Sequence, residues 1–140
     1  MREILFRGFH PCDGPDTIVV DGEKVKGEWV YGSHILIDGA HYIMPSRGHL
    51  HDITDVLTST VGQYTGLTDR DGKRIFENDI ITTKYGRACK VTFKALPSFC
   101  GFDLDPINGD YQKPDRHDIY LEENLEVIGT VFDEGATNET

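Results

Sequence analysis

The residues best placed for chemistry lie in the stretch TVGQYTGLTDRDGKRIFENDII, where Asp69 and Asp71 are two positions apart and Gly72 follows. This spacing occurs in calcium loops, in carboxylate pairs that act as acid and base, and in turns. An EF-hand with Gly72 at its sixth position would place Leu67 first and Asn78 twelfth. Leu67 has no oxygen ligand and Asn78 cannot supply the bidentate carboxylate that calcium needs there. The spacing therefore argues against calcium.

An acid–base pair needs two carboxyl groups in different environments. Asp69 and Asp71 lie among Arg70, Lys73 and Arg74, where we expect both to be solvated and ionised. A turn fits better, because Asp-Gly tolerates the positive φ of a tight turn and an aspartate can accept bonds from the backbone amides that follow it. We predict a turn with no catalytic residue.

Histidines offer a second set of candidates. His49 and His51 would point to one face of an extended segment, and nearby acids could complete a metal set; His34 and His41 could approach across a hairpin. The pattern has no third ligand at a diagnostic spacing. We therefore predict no metal site and keep a metal-dependent enzyme built on His49 and His51 as an alternative.

Other signals for catalysis or cofactors are missing from the sequence. It has no GxSxG, Walker, HExxH or GxGxxG motif. Cys12 is close to His10 in sequence, but such neighbours alone do not make a nucleophile and its base. The remaining cysteines, Cys89 and Cys100, form no CxxC pair, so we expect reduced and mostly buried thiols. We predict neither enzyme activity nor a cofactor.

Composition describes a soluble globular chain of one domain. The 140 residues are 38% hydrophobic and 27% charged, with a formal net charge of −10. This charge would repel phosphate backbones, so we expect no direct binding of nucleic acid, whereas a basic protein partner or mimicry of nucleic-acid charge fits. No apolar run approaches the roughly 18 residues of a spanning helix or forms a secretory signal. We expect a cytoplasmic protein that does not bind membranes.

Short apolar runs bounded by glycine, proline and Asp-Gly pairs predict a mainly β fold, of the β-rich α+β class. The clearest element is a hairpin in which residues 35–37 and 40–43 flank Asp38-Gly39. EILFRGF and TIVV are two further predicted strands, with Asp13-Gly14 as a turn. We predict a short helical turn at 51–58 and a long loop at 98–118. Five aromatic residues in strand-like contexts are expected in the core: Trp29, Tyr31, Phe76, Phe93 and Phe132.

Several blocks in order, REILFRG, EWVYGS, TVGQYTGLTDRDGKRIFENDII and EVIGTVFD, resemble the YopX family of small phage and prophage proteins. The resemblance runs from Arg2 to Asp133 and treats residues 1–133 as one domain. It implies an SH3-like barrel or roll over residues 59–133, with a smaller β-rich subdomain over residues 1–58 packed against it. Residues 134–140 are expected to be a frayed tail.

The resemblance implies a phage-encoded accessory protein in a bacterial cytoplasm and supplies no catalytic residue or cofactor. We expect a non-catalytic module that binds a host or phage protein through its barrel face or the 98–118 loop. An acidic mimic of nucleic acid that inhibits a host DNA-binding protein is the alternative. Exposed edge strands would also permit a homo-oligomer.

Overall fold

The computed structural model describes residues 3–45, 52–97, 99–107 and 118–133. Within these ranges, short 3-10 helices cover Thr58–Thr60 and Ile119–Leu121. The strands are β1 (Phe6–Val20), β2 (Glu23–Ile37), β3 (Ala40–Pro45), β4 (Thr54–Asp55), β5 (Gly62–Thr68), β6 (Arg74–Phe76), β7 (Asp79–Thr82), β8 (Ala88–Leu96), β9 (Phe99–Pro106) and β10 (Glu126–Thr130). The mainly β prediction is confirmed. None of the helices in these ranges has the length and apolar character needed to cross a bilayer.

The chain divides into two compact units, one formed by Met1–Tyr64 with Phe132–Glu134 and the other chiefly by Thr65–Val131. In the first unit the antiparallel strands follow the order β4-β3-β2-β1-β5. In the second unit β6 neighbours the end of β5, and a four-stranded antiparallel sheet has the order β10-β7-β8-β9. The SH3-like description of residues 59–133 stays a prediction.

Two tight turns set the registers of the first unit. Asp21 and Gly22 have φ values of 51° and 82°, and Asp38 and Gly39 have 50° and 83°. Positive φ at both central residues is the mark of the type I′ turn, whose twist matches that of the flanking strands. The predicted hairpin around Asp38-Gly39 is confirmed, with Ile37 opposite Ala40.

The predicted turn at Asp13-Gly14 is wrong, and the two predicted N-terminal strands are one strand of 15 residues. The register with β2 shifts there, because Pro11 and Asp16 both lie opposite Gly27. A Cβ on Gly14 would come within 2.4 Å of the Gly27 carbonyl oxygen. The two glycines therefore let the strand bulge outward and resume pairing.

Residues 54–57 close the sheet of the first unit. Val56 donates its N–H to the His41 carbonyl of β3 at 3.1 Å, and Leu57 donates to the Phe9 carbonyl of β1 at 2.9 Å. Phe9 in turn donates to Thr60 Oγ1 at 2.9 Å. The predicted helical turn at 51–58 is therefore wrong for residues 53–57, since these backbone groups bond to strands instead of to a helical turn. Asp52 and Thr58 have 3-10 geometry, and His51 lies outside the described residues.

Val56 lies over Gly8 on the inner side of this closed sheet. Val56 is 8% exposed and Ile43 is fully buried. A Cβ on Gly8 would lie 2.8 Å from the Val56 side chain, which is closer than carbon atoms pack. Because Gly8 has no side chain, it leaves the space that the Val56 side chain occupies.

The core of the second unit lies on one face of its four-stranded sheet. β8 and β9 pair along their whole length, from Cys89 opposite Pro106 to Leu96 opposite Phe99. The prediction of a loop over 98–118 is thus wrong for 99–106, while 108–117 and the predicted tail lie outside the described residues. The core residues are Ile75, Ile81, Cys89, Val91, Phe102, Leu104, Ile119 and Leu125.

Asp69 organises the turn after β5. Its Oδ1 accepts from the N–H groups of Asp71 and Lys73, both at 2.9 Å. Its Oδ2 accepts from the Val127 N–H at 3.0 Å, which ties the turn to β10. The predicted turn role is confirmed, but the expectation that Asp69 is solvated is wrong, because it is only 6% exposed.

The charge of Asp69 is retained in this setting. Burial by itself raises the pKa of a carboxyl group. Here the three backbone N–H donors, of Val127, Lys73 and Asp71, and the Lys73 charge outweigh burial and hold the pKa of Asp69 below its ordinary value. The following turn also behaves as sequence suggests, with Asn78 at a φ of 75°.

Gly8→Ala is expected to destabilise the protein by about 1–3 kcal/mol, because the new methyl group collides with Val56. In a Val56→Ala background the same change should cost much less. The free energies of unfolding of the four proteins, from urea denaturation, measure this coupling. Equal costs of Gly8→Ala in both backgrounds would contradict the packing described.

Asp69→Asn is expected to cost about 2 kcal/mol, because an amide cannot accept at both ends and its bonds lose their charge. Asp71→Asn removes the same charge from an exposed site and should cost under about 0.5 kcal/mol. The lowered pKa adds stability above the ordinary value of about 3.9 and loses it as pH falls toward the folded value. The deficit of Asp69→Asn should therefore shrink in acid; a constant deficit would refute the ionised state.

Candidate functional site

His34 and His41 come together across the β2–β3 hairpin. They occupy diagonal positions, since His34 lies opposite Ile43 and His41 lies opposite Leu36. His34 Nε2 is 2.8 Å from His41 Nδ1. Both side chains are half-buried, and the Phe6 ring lies 5.4 Å from the His34 ring, centroid to centroid. The sequence-based expectation that these two residues could approach is confirmed.

The two imidazole rings are at hydrogen-bond distance from each other and are not arranged as metal ligands. Their planes differ by 10° and their centroids are 5.0 Å apart. This separation is close to the 2.8 Å nitrogen–nitrogen distance plus the two ring radii. The two nitrogens therefore lie between the ring centres, as in an N–H···N bond. Two metal ligands would instead turn both lone pairs toward a common point.

The surroundings favour neutral His34. Burial, followed by the charge that His41 can carry, lowers the pKa of His34 below its usual value. A neutral ring holds one proton on two nitrogens. One ring of the pair therefore donates along the short contact and the other accepts.

His10 and Cys12 do not form a nucleophile and base. His10 Nδ1 donates to the Asp55 carbonyl oxygen at 2.8 Å and lies 3.5 Å from its carboxylate. Burial, with Glu28 and Asp13 nearby, raises the pKa of the Cys12 thiol. A raised thiol pKa lowers the fraction of reactive thiolate.

The other sequence-based candidates divide between described and undescribed residues. His49 and His51 lie outside the described residues. Across the ranges that are described, no three His, Cys, Asp or Glu side chains gather as metal ligands would. None of the three cysteines, which all lie in the described ranges, forms a disulfide. Cys89 is buried but Cys100 is exposed and Cys12 partly so, which corrects the expectation of mostly buried thiols.

Lys94 neutralises a buried carboxylate on the four-stranded sheet. Its Nζ lies 3.1 Å from Asp103 and 2.9 Å from Asp105. Asp103 is fully buried, and Thr92 donates to Asp105 at 3.0 Å. Because a buried charge is stable only when paired, this cluster has a sufficient structural explanation.

An apolar surface lies on the outer side of the β2–β3 hairpin, opposite the His34–His41 pair. Alternation along β2, and the pairing of Ile35 with Tyr42, place five large side chains on this side. Ile37 and Tyr31 are 48% and 45% exposed, and the others are half-buried. We call this surface the hairpin face; it consists of Tyr31, Ile35, Ile37, Tyr42 and Met44.

The exposures of the five aromatic residues predicted for the core correct part of the sequence analysis. Phe76 is in the core as expected, at 3% exposed, but Tyr31 and Phe93 are 45% and 47% exposed. Trp29 and Phe132 are half-buried and their rings lie 6.1 Å apart. One signal was available, because three consecutive apolar residues in a two-residue-turn hairpin, 35–37, must supply both sides of the strand.

Comparison with known proteins shows the family. No curated protein matches the chain. The family model described as YopX protein matches residues 13–136, which is most of the 140 residues. The chain therefore belongs to the YopX protein family.

Proposed function

We propose that this chain is a non-catalytic protein-binding module, of the accessory kind that phages and prophages encode, and that it binds its partner through the hairpin face. The observation that carries the proposal is the exposed apolar surface of that face. Large apolar side chains grouped on one surface gain free energy when a partner covers them. Two are tyrosines, a type enriched at protein interfaces.

Charge indicates what kind of partner fits. The chain carries a net charge of −10. Two exposed carboxylates border the hairpin face: Asp38 in the turn at its tip, and Asp55, which lies opposite Tyr42 in β4. The complementary surface is an apolar patch rimmed by Lys and Arg side chains, because opposite charges at the rim speed association and fix orientation. We infer a basic protein of the bacterial cytoplasm, from the host or the phage.

Ile37→Lys is expected to weaken partner binding by roughly 30-fold or more, since it places a charge within the apolar contact. Leu36→Lys is the matched control. Leu36 is the preceding residue, is 59% exposed and points to the opposite side of the same strand. Both variants change the net charge equally and should keep the wild-type free energy of unfolding within about 0.5 kcal/mol.

Affinity capture from phage-infected host cells, with wild-type and both variants as baits in 0.15 M and 0.5 M salt, measures this. A protein retained by wild-type and Leu36→Lys in both salts, but lost with Ile37→Lys, supports the proposal. A partner retained equally by all three baits refutes docking on the hairpin face. Retention that disappears in 0.5 M salt for every bait would favour a charge mimic of nucleic acid, since exposed charge contacts are screened.

A further inference from the structure

We propose that the His34–His41 pair is a proton-operated clasp, which holds the β2–β3 hairpin closed when it shares a proton and releases it when both rings are protonated. The contact joins His34 Nε2 to His41 Nδ1 at 2.8 Å, with the ring planes within 10° of parallel. The nitrogens that meet can hold one proton between them. A second proton at the contact would bring two N–H groups, each on a positive ring, head to head.

The clasp responds in two steps. A first added proton can be carried on an outward nitrogen, and the N–H···N bond persists with charge assistance. A second proton removes the acceptor, so the bond breaks and like charges repel. Burial and the neighbouring charge act against this second step, since both lower the pKa of His34. The clasp therefore withstands the first protonation and opens on the second.

The described groups that face His34 belong to β1 and β3. Among the described residues, β1 places the uncharged Phe6 ring against His34, and His41 of β3 is the one charged neighbour that shifts the pKa of His34. His10 is held by Asp55 on the segment beside β3 and β1. No described carboxylate contributes to the shift at His34.

The location of the clasp gives it an effect on the hairpin. His34 and His41 lie close to the Asp38-Gly39 turn and span the two strands that carry Ile35, Ile37 and Tyr42. Opening the pair weakens the pairing that orders those residues. If the hairpin face is the binding surface, as proposed above, binding should decline in acid; that consequence rests on the proposed function, whereas the clasp itself does not.

The sign of the pH dependence follows from linkage. The folded pKa of His34 is lowered from its ordinary value of 6.5, so in acid the unfolded chain binds more protons. The contribution of neutral His34 is complete above that ordinary value. It decreases as the pH falls below that value and is lost once the pH is under the folded pKa.

The test uses the isolated full chain between pH 8 and pH 4.5. NMR of ¹⁵N-labelled histidine follows protonation of each ring, and hydrogen exchange gives protection factors for the β2–β3 amides, with β7–β8 amides as internal reference. We expect β2–β3 protection to fall about tenfold relative to the reference as His34 protonates, since one bond is lost. Protection that stays constant while both rings become protonated would overturn the clasp.

His34→Gln separates the clasp from other titrations, because an amide nitrogen can donate to His41 and does not titrate. It should keep the protection of wild type at pH 8 and lose the acid response. His10→Asn, which removes a histidine outside the pair, should keep that response. A full acid response in His34→Gln would refute the proposal. If His34→Gln fails to fold, coincidence of the His34 titration with the loss of protection in wild type decides the matter instead.

Discussion

The organisation of the first unit depends on how the backbone of Phe9 is satisfied. Its N–H and carbonyl both bond to residues of the segment 57–60, at 2.9 Å each. Because Val56 bonds to β3 at the same time, a few residues join the two sides of the sheet. That closure gives the β2–β3 hairpin an inner side and an outer side. Burial of Ile43, the need for glycine at position 8 and the separation of the histidine pair from the hairpin face all follow from it.

Sequence reasoning succeeded where structure depends on neighbouring residues. The type I′ turn at Asp38-Gly39 and the left-handed Asn78 are local choices made by residues that tolerate positive φ. The hydrogen bonds that the Asp71 and Lys73 amides donate to Asp69 are local in the same way. These features could be predicted without knowing the rest of the fold.

The predictions that were wrong share a different cause, because each feature depends on residues that are distant in the sequence. Burial of Asp69 requires Val127, 58 positions along the chain. The continuity of β1 through residues 12–15 requires Gly27 on the opposite strand. Within the segment predicted as a helical turn, residues 53–57 are not helical because β3 and β1 take up the backbone groups of Val56 and Leu57. The hairpin face was missed for a related reason, since the alternation pattern does not tell which side of a strand the core will cover.

The run Ile35-Leu36-Ile37 affects how β2 and β3 align when the hairpin folds. Apolar side chains occupy both sides of this strand, so a slip by one residue would exchange Leu36 for its neighbours at little cost in buried apolar area. Hydrophobic patterning therefore discriminates poorly between two alignments of the hairpin. The Asp38-Gly39 turn supplies the missing selection, because its two positive φ values admit one loop length. Two turn residues thus decide which imidazoles meet and which side chains a partner encounters.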